Sequence, residues 1–310
     1  MILMPRLHRA LVVAVIALVA CACGASPTAG AETERLTVTA SFYPLQYIAM
    51  RIGGDRVEVT SLTKPGAEPH DLELTPQDVA GLSDASLVVY LKGFQPAVDT
   101  AVRGEAGNRG FDVSAAAALD LTYTPIEQGQ QVDDESGATD PHFWLDPQRL
   151  SAVAVALADR MTRADPSAAT QFTANLAALR ADLATLDDEF RTGLANCANP
   201  DLVTSHNAFG YLAQRYGLTQ VGITGLTPEA EPQAGALADV TAFVRANQVR
   251  TIYYETLVSP AVADTVAAET GARTEVLDPI EGLNDRSQGS DYLAVMRSNL
   301  ANLRAGQPCR

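Results

Sequence analysis

Residues 167–194 carry a helical pattern that sets the scale of the whole molecule. Phe172, Leu176, Leu179, Leu183, Leu186 and Phe190 recur at spacings of three and four, which lines one face of an α-helix with apolar side chains. Ala164-Asp165-Pro166 breaks the chain just upstream, and Asp165 or Ser167 supplies a capping oxygen. At 1.5 Å per residue a helix of about 27 residues is roughly 40 Å long. That exceeds the width of one small lobe. The helix is therefore expected to connect two lobes and to pack against both.

The flanking sequence reads as two α/β halves. Before the rod, strand-like runs at Leu36 to Ala40, Val57 to Leu62 and Ser86 to Leu91 alternate with helical segments at Phe42 to Ile52 and from Pro76 to Leu82, the latter opened by Thr75 as N-cap. Gln148 to Thr162 is a further helix. After the rod, strands are expected at Leu202 to Thr204, Gln220 to Thr224, Arg250 to Tyr254 and Arg273 to Leu277. Helices are expected at Ala208 to Tyr216, Pro232 to Asn247, Pro260 to Thr270 and Ser290 to Ala305. Strands that alternate with helices imply mostly parallel sheets. The expected fold class is α/β: an N-terminal lobe over 35–147, a helical region over 148–194 holding the rigid linking helix, and a C-terminal lobe over 195–310. Ligands of open α/β sheets bind beyond the carboxyl ends of the strands, so a cleft between the lobes is the expected site.

The first residues read as an export signal. Arg6, His8 and Arg9 precede the apolar run Leu11 to Ala20, too short for a permanent bilayer span. Leu18-Val19-Ala20-Cys21 resembles a bacterial lipobox, which makes residues 1–20 the signal peptide and Cys21 the lipidated residue. Cys23 is a weaker alternative, and a plain secretory signal is another. Residues 21–34 are small and polar, a flexible tether. Cys197 and Cys309 then remain, and in an exported domain they are expected to form one disulfide rather than two free thiols. The formal net charge is −15, and loss of Arg6 and Arg9 takes it to about −17. Such a chain is not expected to bind nucleic acid, which demands basic surfaces. It draws in cations instead. The stretch Glu127 to Asp140 (EQGQQVDDESGATD) is acidic and aperiodic. It reads as a solvated loop, with weak cation capture by Asp133, Asp134, Glu135 and Asp140 as the alternative.

The chemistry lies in the histidines. The chain has four, and one of them, His8, belongs to the signal. His70 sits in GAEPHDLELTP, His142 in DPHFWLDP and His206 in VTSHNAFGYLAQRYG, while Asp278 closes the strand-like run RTEVLD. A lone histidine at such a place is more often a hydrogen-bonded structural residue, and Asp278 before Pro279 suits a turn. Three imidazoles and one carboxylate at strand or loop ends are, together, the donor set of a tetrahedral Zn2+. No local motif brings them together, so the fold has to.

The runs SFYPLQYIA, PGAEPHDLELTPQDVAGLSDASLVVY, DPHFWLDP, VTSHNAFGYLAQRYGL, IYYETLVSP and VLDPIEG resemble, in order and over nearly the whole mature chain, the zinc- and manganese-binding solute receptors of bacterial ABC importers (cluster A-I). The resemblance implies metal held between two lobes by His70, His142, His206 and Asp278. It implies partners as well: a membrane permease with its ATPase subunit, and the outer face of the cytoplasmic membrane through a lipid on Cys21, or a periplasmic location. It implies a monomer and no enzymatic activity. Manganese-type members carry glutamate where His206 stands, so zinc is the expected cargo. Zinc members with a histidine-rich loop before the second ligand differ from this chain, whose 127–140 stretch has no histidine. Some members also place an acidic residue just before the first ligand, where Pro69 stands here. The competing reading is an exported zinc hydrolase, with Glu255 as base. Against it, Asp278 fills the fourth position that catalytic zinc leaves open. No HExxH or GxSxG context occurs, and Glu255 is better read as a carboxylate that orients a ligand histidine. A surface adhesin is a third class that this family overlaps.

Overall fold

The computed structural model describes residues 35–126, 135–230, 232 and 234–310. The signal peptide, the tether with Cys21, and Asp133 and Asp134 lie outside the described residues.

The N-terminal lobe holds β1 (Leu36–Ala40), α1 (Tyr43–Gly53), β2 (Val57–Ser61), α2 (Pro76–Asp84), β3 (Leu87–Tyr90), α3 (Pro96–Ala101), β4 (Gly110–Asp112) and α4 (Ser114–Ala117). Its four strands are all parallel in the order β2-β1-β3-β4. α2 starts where the sequence places it. Thr75 accepts from the Asp78 backbone N–H while Asp78 accepts from that of Thr75, a reciprocal capping box with Pro76 at the first helical position. The segment after Leu91, which carries no clear periodicity, contributes α3, β4 and α4, short elements of three to six residues.

Two helices follow, α5 (Pro147–Ala164) and α6 (Ala169–Gly193). The second is the linking rod, 25 residues long. Its buried face presents Phe172, Leu179, Leu183, Leu186 and Phe190, five of the six apolar positions read from the sequence. Its N-terminal and middle turns are tied to the N-terminal lobe: Gln171 donates to Asp55, Asn175 to the Ile52 carbonyl, and Arg51 of α1 to Asp182. Its second half is tied to the C-terminal lobe, where Arg215 and Tyr216 converge on Asp187 and Arg297 reaches Glu189.

The C-terminal lobe comprises β5 (Asp201–Thr204), α7 (Gly210–Tyr216), β6 (Thr219–Gly222), α8 (Ala234–Ala246), β7 (Thr251–Tyr254), α9 (Ala261–Thr270), β8 (Arg273–Val276) and α10 (Tyr292–Gly306). Its sheet is again fully parallel, ordered β6-β5-β7-β8. The two sheets thus share one topology. A Cys197–Cys309 disulfide closes 112 residues of this lobe and fixes the end of α10. Among the described residues no helix is long and apolar enough to cross a membrane.

Candidate metal centre

Four side chains from four segments meet in the cleft. His70 comes from the loop between β2 and α2, His142 from the turn ahead of α5, and His206 from just past the end of β5. The fourth is Glu281, beyond β8. One donor atom from each lies within 4.8 Å of the others. Glu281 Oε1 stands 3.4 Å from His70 Nε2, 3.0 Å from His142 Nε2 and 3.5 Å from His206 Nε2. Donors about 2.05 Å from a tetrahedral Zn2+ are separated by edges of about 3.3 Å. The three carboxylate–imidazole distances bracket that value. His142, His206 and Glu281 are 1 % exposed or less. Among the described residues Glu281 Oε2 and His206 Nε2 have no hydrogen-bond partner, which suits buried atoms that can ligate a metal.

Each imidazole is aimed by its surroundings. Asp140 Oδ1 lies 2.8 Å from His142 Nδ1 and also accepts the His142 backbone N–H. Glu255 Oε1 lies 2.6 Å from His206 Nδ1 and accepts from the Ser205 hydroxyl. A proton on Nδ1 donated to a carboxylate leaves the Nε2 lone pair facing the cluster. Asp140 has its own support. Tyr211 of α7 donates to its carbonyl, and Gly210 leaves room for its carboxylate, since a Cβ there would sit 2.5 Å from Oδ2. His70 is held differently. The Phe94 ring meets it edge-on with centroids 4.7 Å apart, and Gln95 fixes the preceding Pro69 carbonyl.

The electrostatics follow from this packing. Burial holds His70 below its ordinary value despite Glu281. Burial also works against protonation of His142 and His206, but Asp140 and Glu281 raise the first, and Glu255 and Glu281 raise the second well above the usual imidazole range. Burial acts against the Glu281 carboxylate too, but the three imidazoles outweigh it and hold the group well below the usual range. Glu68, whose Oε1 accepts the His70 N–H, is pushed up to about 10 by burial and by Glu281.

Asp278, the carboxylate expected beside the histidines, is not in this cluster. Its Oδ1 accepts the Ile280 backbone N–H at 2.8 Å and its Oδ2 accepts from Thr256 at 3.0 Å. Asn299 of α10 donates to its carbonyl and accepts its N–H. Asp278 thus sits two residues past β8 as a buried turn residue, pushed up to about 6 by burial. Ile280 follows in the left-handed region (φ 59°), and Glu281 is the side chain that reaches the cluster. A β-branched residue in that region is strained by about 1–3 kcal/mol. The motif Leu277-Asp278-Pro279-Ile280-Glu281 held both carboxylates. What favoured Glu281 was the Asp-Pro turn signal between them. The acidic stretch also differs from a solvated loop in its described part. Asp140 is buried, and Glu135 accepts from the Leu226 N–H and the Thr227 hydroxyl of the opposite lobe.

A family model described as "Zinc-uptake complex component A periplasmic" matches residues 38–306. The chain belongs to this family. It is 35% identical over 303 residues to the high-affinity zinc uptake system protein ZnuA of Bacillus subtilis, covering 94% of this chain and 95% of that protein. It is 33% identical to the zinc-binding lipoprotein AdcA of Streptococcus pneumoniae over 87% of this chain, but spans only 55% of that longer protein. The Zn(II)-bound ZnuA-like domain of the same AdcA has a TM-score of 0.72 at 32% identity, covering 88% of this chain and 99% of that domain. The laminin-binding protein Lmb of Streptococcus agalactiae, described as an adhesin with metal transporting activity, has a TM-score of 0.75 at 30% identity, covering 88% and 100%. Members of the family are receptors rather than enzymes, and their lobes and linking helix share the architecture described above.

Proposed function

We propose that this chain is the extracytoplasmic receptor of a zinc importer of the ABC type. It captures one Zn2+ with His70, His142, His206 and Glu281 and delivers it to a membrane permease driven by an ATPase subunit. The carrying observation is the buried convergence of three Nε2 atoms on one carboxylate oxygen, each 3.0–3.5 Å from it. Three imidazoles favour zinc over Mg2+ and Ca2+, which prefer oxygen. Four protein donors complete a tetrahedral shell and leave no position for an attacking water, which argues against a hydrolase. Glu255, the nominated base, is engaged with His206 and Ser205. Elemental analysis and chelator competition on metal-stripped protein test the reading. One zinc per chain, bound more tightly than Mn2+, is the expected result; tighter Mn2+ binding would refute it. His206→Glu should move preference toward manganese.

The receptor is held at the outer face of the cytoplasmic membrane by a lipid on Cys21, which keeps it at high local concentration near its permease. The tetrapeptide Leu18-Val19-Ala20-Cys21 supports this. Cys21→Ser should release the protein or leave an uncleaved precursor, with zinc binding unchanged. A wild-type N-terminus downstream of Cys23 without lipid mass would contradict it.

A further inference from the structure

We propose that Asp278 is a positioning residue for the metal centre: by holding Ile280 in the left-handed conformation it directs Glu281 at the cargo ion. The inference rests on reading the His70–His142–His206–Glu281 cluster as the zinc site.

Among the described residues four non-glycine positions have positive φ: Ala118, Gln248, Ile280 and Pro308. Only Ile280 is β-branched, and it is fully buried. L-residues branched at Cβ avoid this region, so a buried example persists only where its surroundings impose it. The surroundings here do so from four sides. Asp278 Oδ1 accepts the Ile280 N–H across the turn. The Thr256 hydroxyl fixes the other carboxylate oxygen. Asn299 clamps both backbone polar groups of Asp278. Trp144 donates its indole N–H to the intervening Pro279 carbonyl at 2.7 Å. The residue that follows this constrained turn is Glu281, with no exposed surface and one oxygen within 3.5 Å of three imidazoles. A carboxylate on a long side chain carries rotamer freedom that a metal site must remove. Fixing its Cα position through the backbone narrows the volume the carboxylate samples before the ion arrives.

The alternative is that Asp278 ligates the ion itself. The two roles differ in what they demand of the side chain. A ligand needs a carboxylate. The turn needs an acceptor for the Ile280 N–H, which the amide oxygen of asparagine also supplies.

The test compares Asp278→Asn, Asp278→Ala, Ile280→Gly, the double variant Asp278→Ala/Ile280→Gly, and Glu281→Gln in the full mature domain. Zn2+ affinity is read by chelator competition, coordination by the visible spectrum of Co2+ in the site, and folding by thermal scans. The expected results are wild-type affinity and an unchanged Co2+ spectrum for Asp278→Asn, and affinity about 10–100-fold weaker for Asp278→Ala. The double variant should recover much of that loss, because glycine takes the left-handed conformation at no steric cost. Glu281→Gln should both weaken binding and change the spectrum. The proposal is overturned if Asp278→Asn loses as much affinity as Asp278→Ala with an altered Co2+ spectrum, or if the double variant recovers nothing. Should Asp278→Ala fail to fold, the asparagine spectrum decides alone. Folded wild-type protein that takes up neither Zn2+ nor Co2+ would instead refute the site reading on which the proposal stands.

Discussion

The two lobes share one sheet order, yet they supply their donors in different ways. In the C-terminal lobe His206 follows β5 by two residues, and its orienting Glu255 directly follows the neighbouring β7. These two strands flank the point where strand order reverses, which is where open parallel sheets bind ligands. At the equivalent point of the N-terminal lobe, β1 and β3 lead into Ser41-Phe42 and Leu91, and the large side chains Phe42 and Phe94 meet edge-on there instead, with centroids 4.9 Å apart. That lobe's donors come from outside its strand ends: His70 from the long loop after β2, and His142 from the turn that starts α5. The C-terminal lobe presents His206 on its frame, whereas its Glu281 and both donors of the N-terminal lobe sit on turns and loops braced by neighbours. The braces cross the cleft: Gly210 and Tyr211 support Asp140, and Trp144 grips Pro279. Each half-site is therefore completed by the other lobe.

Removing a donor should have the largest effect. His142→Ala and Glu281→Ala should each leave a site with three donors and cut zinc affinity by more than the 10–100-fold typical of orienting groups, measured by competitive titration. Glu281→Ala also frees three buried imidazoles from their shared carboxylate. It should therefore shift the metal-free histidine titrations seen by NMR in both lobes at once. A shift confined to His206 would mean that the half-sites are independent.

The disulfide bears on one lobe only. Reduction of Cys197–Cys309 should destabilise the protein by up to about 4–5 kcal/mol on chain-entropy grounds for a loop of 112 residues, read by denaturant unfolding. Zinc affinity of the reduced, still folded protein should be unchanged, because the bridge lies at the far end of α10 from the cleft. Two free thiols in exported protein would remove this distinction.

Next in size are the orienting carboxylates. Asp140→Asn and Glu255→Gln should each weaken zinc about 10–100-fold. A markedly smaller loss for Asp140→Asn would show that the loop-borne histidine tolerates reorientation better than the strand-borne one.

Acidification should have the gentlest effect, with opposite signs in the two metal states. In the metal-free protein His142 and His206 sit above their ordinary values because of the paired carboxylates. A raised histidine contributes stability that is fully present below the unfolded value near 6.5 and is lost as pH rises through the folded value. Those two residues should therefore stabilise the metal-free fold as pH falls toward about 6.5. His70, held low by burial, opposes them below that point. Zinc stabilisation moves the other way, since protons compete for the donors. The Tm difference between zinc-loaded and metal-free protein should narrow from about pH 8 to 5, and a constant gap would contradict a three-histidine site.

Much of this was legible in the sequence where a physical period or a strong local signal existed. The rod followed from its three–four apolar spacing, α2 from Thr75-Pro76, and the parallel sheets from alternation. The stretch between Leu91 and Tyr123 was not, because elements of three to six residues carry too few turns to show a period. Histidines are scarce enough in this chain to point at one another across the cleft. Carboxylates are not: with 37 acidic residues, the choice between Asp278 and Glu281 depended on backbone direction at Ile280, and a single sequence does not encode φ at an isoleucine. Asp140 was hidden for a similar reason, as its acidic neighbours suggested exposure.

In the proposed receptor, zinc joins both lobes through three imidazoles and the Glu281 carboxylate. Diffraction from zinc-loaded crystals, with anomalous maps at the zinc absorption edge, tests it most directly. The expected map has one peak in the cleft, about 2.0–2.1 Å from three Nε2 atoms and 2.0–2.2 Å from a Glu281 oxygen, with Asp278 still bonded to the Ile280 N–H. A peak coordinated by Asp278, or one bound to the donors of a single lobe, would contradict it.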